Sequence, residues 1–267
     1  MPVFSQVARD SSSKFFIILT GGRSGSNLIR DALCSHPDVI CFGEIFEDPQ
    51  SDELTDKGLI LPQRRRHESA TAFARRAFSF GSHGKAIGFK LKYYHFAGTR
   101  LAALIRNHRI AVIHNKRRNI IAQSLSLPMA EMHEFGRWQW DKAQIGLYRR
   151  AVKVDIEDFI YRCEDNLRSA RVFDRYFSCH VPMLDVFYDD FCHTNSVGVL
   201  TQKAAVESLL SFLEVSPATL KSAFQKQRLI PYQSLIKNFH DLRIRALHKH
   251  PEWQPYFDEI DSESLVV

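Results

Sequence analysis

The chain has 267 residues, 45% of them hydrophobic and 25% charged, with a formal net charge of +6. This composition belongs to a globular protein with a sizeable core and excludes a disordered or fibrous chain. The basic excess is small and dispersed, so it suits an anionic small ligand or acidic glycan and argues against duplex nucleic acid as a partner.

Residues 1–14 are polar and read as a flexible N-terminal segment without the apolar core of a signal peptide. The apolar run Phe15–Leu19 reads as a strand buried on both faces. Behind it comes Thr20-Gly21-Gly22-Arg23-Ser24-Gly25-Ser26-Asn27-Leu28, and then the helical pattern of Leu28–Ser35. Strand, Gly/Ser turn and helix N-terminus together make an anion cradle. Glycine lets the backbone approach the anion, and the first-turn amides and helix dipole favour negative charge. Ser24, Ser26 and Asn27 add short polar side chains, and Arg23 adds a fixed positive charge. The segment is not a Walker loop, because no Lys follows Gly25, and its glycines miss the spacing of a dinucleotide fold. The plainer reading is an ordinary β–α connection.

Further strands are expected at Val39–Phe42, Ala86–Leu91, Ile110–His114 and Met183–Tyr188. Helices are expected at Glu68–Phe80, Leu101–Arg106, Asn119–Leu127 and Asp155–Phe177. The last third reads as helical, over Val199–Leu213, Pro217–Gln227 and His240–Lys249. Alternation of strand and helix predicts an α/β fold: a central, mostly parallel sheet flanked by helices, with a helical C-terminal third. The absence of repeats and linkers points to one domain over residues 1–267. Gln50–Arg66 and Pro128–Gly146 read as long loops or lids, and Arg64-Arg65-Arg66-His67 as a solvated part of the first.

A second polar constellation follows the strand near Val112. It runs His114-Asn115-Lys116-Arg117-Arg118-Asn119 and continues to Ser124-Leu125-Ser126. In an open parallel sheet ligands sit at the carboxyl ends of strands, so Arg117 and Ser126 can both reach a second phosphate. Arginine suits this because its planar fork donates two hydrogen bonds and keeps its charge. The plainer alternative is a basic helix start with solvent-facing arginines. The five cysteines show no CxxC spacing, which argues against a disulfide framework or zinc knuckle, and the twelve histidines form no HExxH pair, so no metal is expected. No apolar run approaches the roughly 18–20 residues that span a bilayer. With no N-x-S/T acceptor either, a cytoplasmic protein is expected.

Together the two segments resemble the cofactor loops of sulfotransferases that use 3′-phosphoadenosine 5′-phosphosulfate (PAPS). They are most like those of bacterial carbohydrate sulfotransferases of the trehalose 2-sulfotransferase and Nod-factor types. Arg23-Ser24-Gly25-Ser26-Asn27-Leu28 resembles the 5′-phosphosulfate loop, and Arg117 and Ser126 resemble the Arg and Ser of the 3′-phosphate site. Gly43-Glu44-Ile45-Phe46 resembles an acidic motif after the first helix, and Gly88-Phe89-Lys90-Leu91 a family strand. Phe187-Tyr188-Asp189-Asp190-Phe191 resembles a Tyr-Glu-Asp-Leu segment, with Asp in place of Glu. Lys226-Gln227 and Asn238-Phe239 resemble a C-terminal pattern. The similarity runs from about residue 15 to 245 and implies the P-loop-like three-layer fold of that family.

The resemblance further implies PAPS as cofactor, adenosine 3′,5′-bisphosphate as product and no metal. Lys226 joins the two loops among the implied cofactor contacts. The acceptor would be a hydroxyl, or an amine, of a carbohydrate, glycolipid or other metabolite. Arg23 is the candidate for the charge on the leaving 5′-phosphate. Glu44 is the first candidate base and Glu47 the second, their pKa values expected to rise on burial. The plainer reading of either is a salt bridge to a neighbouring Lys or Arg. His95 and His114 are further possible bases, and Lys90 can touch the leaving phosphate or sulfate. Tyr93, Tyr94, Trp138 and Trp140 can stack on a sugar ring or belong to the core. The alternatives are a small-molecule kinase with a degenerate phosphate loop, or an inactive nucleotide-binding protein.

Overall fold

The computed structural model describes residues 13–47, 53–54, 59–80, 84–131, 151–195, 197–224 and 231–263. Five strands form the central sheet: β1 (Lys14–Thr20), β2 (Val39–Phe42), β5 (Ala86–Lys92), β6 (Ala111–Lys116) and β7 (Met183–Phe187), in the order β2-β5-β1-β6-β7. All the pairings in this sheet are parallel. A separate two-stranded antiparallel ribbon joins β3 (Glu53–Leu54) to β4 (Ile60–Leu61), inside the segment expected as a loop.

Alternation along β1 divides the core into two layers. Phe16 and Ile18 face α1 (Ser26–Cys34) and α7 (Lys203–Phe212), meeting Leu28, Ile29, Leu33, Leu209 and Leu210. Ile17 and Leu19 face α2 (Ala70–Phe80) and α3 (Leu101–Asn107), meeting Phe73, Phe78, Leu104 and Ile105. These side chains are almost wholly excluded from water, and each such burial contributes about 1.5–3 kcal/mol. A third cluster packs α4 (Ile120–Glu131) and α5 (Ile156–Ser178) against α8 (Tyr232–Leu235), α9 (Phe239–Lys249) and α10 (Gln254–Glu263), around Leu125, Phe159, Leu242 and Phe257. The three-layer α/β architecture and helical C-terminal part follow the expectation. No helix among the described residues is long and apolar enough to cross a membrane.

Local side-chain caps mark the starts of α4 and α5. Asp155 caps α5 by accepting from the Asp158 amide at 3.0 Å, and Asn119 caps α4 by accepting from the Ala122 amide at 2.9 Å. Two expectations need correction. Helix α4 continues through Pro128 to Glu131, so residues 128–131 are not loop; residues 132–150, with Trp138 and Trp140, lie outside the described residues. Residues 217–224 are not helical, because their polar groups are engaged elsewhere. The Lys221 amide donates to Ser35 Oγ (2.9 Å), the Ala223 amide to Asp31 Oδ2 (2.7 Å), and Ser222 Oγ to the same carboxylate (2.8 Å). The short helix α6 (Tyr188–Phe191) follows β7 directly.

Candidate functional site

The Gly/Ser loop connects β1 to α1 at the carboxyl end of the central strand. Gly25, at φ 81°, is the N-cap of α1, and no side chain caps that end. A side chain at Gly25 would run into Tyr188: a Cβ there would lie 2.0 Å from the ring. Only glycine fits, because the backbone is left-handed and the Tyr188 ring lies against it. Arg23 holds a left-handed conformation as well, at φ 59°. An arginine kept in that region is strained by about 1–2 kcal/mol. Such strain persists where the surrounding contacts dictate it.

Those contacts come from β6 and α4. Asn115 Nδ2 donates to Ser24 Oγ (2.9 Å), to Ser24 O (3.1 Å) and, more weakly, to Thr20 Oγ1 (3.4 Å). Gln123 Nε2 donates to Gly22 O at 2.7 Å. The Ser24 hydroxyl also pairs with Thr20 Oγ1, so it ties the loop to the sheet from a fully buried position. Ser26 is buried at the first position of α1. Leu28 belongs to the core: its side chain packs under the sheet and its amide donates to Gly25 O at 3.0 Å.

Beside the loop lies a cavity of about 170 Å³ lined by Gly21, Ser24, Tyr93, Asn115, Arg117 and Gln123, among others. The three cations at the end of β6 are used differently. Lys116 pairs with Asp174 and Asp185. Arg118 is exposed, makes a bidentate pair with Asp190 and lies over the Phe187 ring. Arg117 stacks over Tyr188, 5.1 Å from its centroid, and its Nε is buried without a hydrogen-bond partner. Asn115 Oδ1, on the same cavity, is likewise buried and unpaired. Ser126 does not join Arg117; it donates to Gln123 O and accepts from Arg23 Nε at 3.4 Å. The structure therefore brings Arg117 to the cavity and Ser126 to Arg23. Lys226 lies outside the described residues.

A second cluster stands at the carboxyl ends of β2 and β5. Glu44 receives Lys90 Nζ on one carboxylate oxygen (2.8 Å) and Lys92 Nζ on the other (2.7 Å). Lys92 also reaches Glu47 at 3.2 Å, and the Tyr94 hydroxyl donates to Glu47. Lys90 donates to Asn27 Oδ1, which joins this cluster to the first turn of α1. Both lysine side chains are nearly inaccessible, at 3% and 9% exposure. Burial pulls Lys90 below its ordinary pKa despite Glu44, while for Lys92 the opposing pull of Glu44 outweighs burial and raises it.

The carboxylates shift opposite to expectation. Burial would raise Glu44, but Lys90 and Lys92 together hold it below the usual value. Glu47 is lowered in the same way, its burial outweighed by the Tyr94 hydroxyl and Lys92. Each is thus the salt-bridged carboxylate of the plainer reading. His95 accepts the Lys92 amide at Nδ1 (3.1 Å), so the proton of its neutral ring resides on Nε2, which lies 3.3 Å from Glu47 Oε2. Burial lowers its pKa, and in this tautomer Nε2 carries the proton and cannot accept; that nitrogen is buried without a hydrogen-bond partner.

Sequence reasoning missed Asn115, Gln123 and Lys92 as site residues. Lys92 was within reach, since it shares a strand face with Lys90 two residues earlier. Asn115 and Gln123 act on the loop from 91 and 101 residues away, which no local pattern signals. Missed too was a group formed by His114, Asp174 and Asp185, whose ligand atoms lie within 4.8 Å of one another. The Lys116 ammonium occupies the position between the two carboxylates where a cation would sit. No family model matches the chain, and no curated protein matches it.

Proposed function

We propose that this chain transfers a sulfuryl group from PAPS to a hydroxyl or amine of a carbohydrate or other small acceptor. The observation that supports the reading is the pair of unpaired buried atoms on one cavity beside the cradle. Arg117 Nε is a charged donor without an acceptor, and Asn115 Oδ1 an acceptor without a donor. Leaving such groups unmet costs about 1–3 kcal/mol each, so they favour a ligand that carries both an anionic oxygen and a hydrogen-bond donor. A nucleotide with a phosphate on its ribose has both.

In this reading the α1 N-terminus and Arg23 hold the 5′-phosphosulfate, and Arg117 holds the 3′-phosphate. When bound, the cofactor supplies the activated sulfuryl group. Lys90, linked through Asn27 to the first turn of α1, brings positive charge to the end of the cradle where the leaving phosphate gains charge. Glu44 and Lys92 fix that lysine in place.

Calorimetric titration with adenosine 3′,5′-bisphosphate and with AMP tests the proposal. A charge-assisted contact is worth about 1.5–3 kcal/mol, so the bisphosphate is expected to bind at least about tenfold more tightly. Arg117→Ala removes that preference and leaves AMP almost unchanged, whereas Arg118→Ala, whose guanidinium is committed to Asp190, keeps it. Equal affinity of the wild type for both nucleotides refutes the reading.

A further inference from the structure

One wall of the cavity beside the cradle is the Tyr93 ring. A Cβ on Gly21 would stand 3.1 Å from Tyr93 Cε2, so the ring lies directly against the loop. Tyr93 is held by stacking on Phe173, with centroids 5.1 Å apart and planes at 14°. Its hydroxyl meets His114 Nε2 at 2.7 Å. His114 Nδ1 meets Asp174 Oδ1 at 2.7 Å, with Asp185 Oδ1 next nearest at 3.7 Å. His114 is wholly buried, whereas the Asp174 and Asp185 side chains are 36% and 46% exposed.

Hydrogen-bond chemistry sets the proton positions along this chain. A carboxylate only accepts, so Nδ1 of His114 carries the ring proton and Nε2 is the bare nitrogen. The Tyr93 hydroxyl then donates to Nε2. Burial first, and then the charges of Asp174 and Asp185, raise the phenol above its ordinary pKa, so it rests as a neutral donor. The groups facing His114 are therefore Tyr93 from the 3-10 turn after β5, Asp174 from α5, Asp185 from β7 and, through those carboxylates, Lys116 from β6. The bonds run unbroken from Tyr93, which lines the cavity, through a buried imidazole, to carboxylates that touch water. His95 has the opposite tautomer, and Glu44 is clamped by two lysines; neither provides such a path.

We propose that Tyr93, His114 and Asp174 form a proton relay that takes the proton of the acceptor hydroxyl, with Tyr93 touching the acceptor and the other two acting through it. The proposal rests on the sulfuryl-transfer reading. As the acceptor oxygen forms its bond to sulfur, the bond from sulfur to the bridging oxygen of the 5′-phosphate breaks, and that electron pair leaves with the bisphosphate. The acceptor O–H proton passes to the Tyr93 oxygen while the Tyr93 proton passes to His114 Nε2. The imidazolium is stabilised by Asp174 and Asp185. The roles match the logic by which a carboxylate fixes a histidine tautomer so that its second nitrogen can act as base.

The test uses the full chain as wild type, Tyr93→Phe and Asp174→Asn; the aspartate is partly exposed, so its amide variant is expected to fold. Nitrogen-15 NMR of the His114 ring should show the proton on Nδ1 and a shift of the Nε2 signal in Tyr93→Phe. A proton on Nε2 in the wild type overturns the relay. Release of labelled sulfate from PAPS to water and to a panel of sugar hydroxyls is followed from about pH 5 to about pH 9, the range in which histidine changes charge. Tyr93→Phe should lose about 10²–10⁴-fold in kcat, the usual weight of a general base, with bisphosphate affinity kept within about twofold. Asp174→Asn should lower kcat and change the pH profile. Wild-type kcat and profile in both variants overturn the relay, as does a wild type that binds the bisphosphate and transfers to nothing. A wild type that fails to prefer the bisphosphate over AMP refutes the sulfotransferase reading instead.

Discussion

Replacing Glu44 by Gln tests the charge cluster through stability, free of any assumption about substrate. The carboxylate neutralises Lys90, whose side chain is 3% exposed, and Lys92, at 9%. Removing one partner of a buried pair costs about 3–5 kcal/mol, because the remaining charge stays buried. Glu44 is itself 20% exposed and Lys90 can shed its proton, so the lower end, about 3 kcal/mol, is expected. For a chain of this size each kcal/mol moves the midpoint by about 2–4 °C, so Tm should fall by about 6–12 °C. The pH dependence follows from the two directions of shift. The folded pKa of Glu44 lies below its unfolded value, so its contribution is complete above the unfolded pKa and is lost as pH falls through the folded one. The folded pKa of Lys90 is also depressed, so the unfolded chain binds its proton more readily, and the burial penalty fades as pH rises through the folded pKa toward the unfolded one. Without Glu44 that folded pKa drops further. The deficit of Glu44→Gln should therefore be largest near neutral pH and narrow on both the acid and the alkaline side. Urea melts of the two proteins across pH measure it. A deficit below about 0.5 kcal/mol, the scatter of surface changes, would refute the reasoning, as would one that stays flat with pH.

The loop supplies three further tests. Gly25→Ala forces a methyl to within 2.0 Å of Tyr188 on a left-handed backbone, so melting should fall by at least about 1 kcal/mol and bisphosphate binding should be lost; Gly22→Ala meets nothing within 4 Å and should change neither, both read by thermal melts and calorimetry. Arg23→Gly relieves the strain at φ 59° and should stabilise the fold by about 1 kcal/mol, while its kcat falls by about two to three orders of magnitude. A stabilised Arg23→Gly with full activity would remove Arg23 from the mechanism. Gln123→Ala deletes the donor to Gly22 O and should cost about 1 kcal/mol in urea melts while weakening bisphosphate binding.

The central sheet was legible because its inner strands carry apolar runs buried on both faces. Each of the five appears within two residues of its expected bounds, since runs such as Phe16–Leu19 can be satisfied only between two helical layers. Helix α5 was legible from its apolar spacing. Residues 217–224 of the expected helix Pro217–Gln227 misled because propensity there is overridden by Asp31 and Ser35, nearly 190 residues earlier in the chain, whose side chains take the amides a helix would use; residues 225–227 lie outside the described residues. Pro128 misled in the other direction, because α4 carries on past it to Glu131.

The site was half legible, and the division is physical. A cradle is a local device of strand, turn and helix start, so Gly25 and its neighbours announced it. Charge pairing is non-local, and here it reversed the sign of an expectation. Burial alone raises a carboxylate, yet the same strand ends that bury Glu44 deliver two lysines to it, and their combined attraction wins. The consequence reaches beyond one residue. A carboxylate stabilised as an anion by two ammonium groups is a weak base and a strong anchor, so it is better suited to holding Lys90 than to accepting a proton. On the proposed sulfuryl-transfer reading, the acceptor proton then needs a separate route. The relay proposed through Tyr93 answers that need, because His114 has an acceptor on Nδ1 and a donor on Nε2, whereas at His95 the donor sits on Nδ1. Two buried histidines that look alike in the sequence are thus separated by which nitrogen each has left bare.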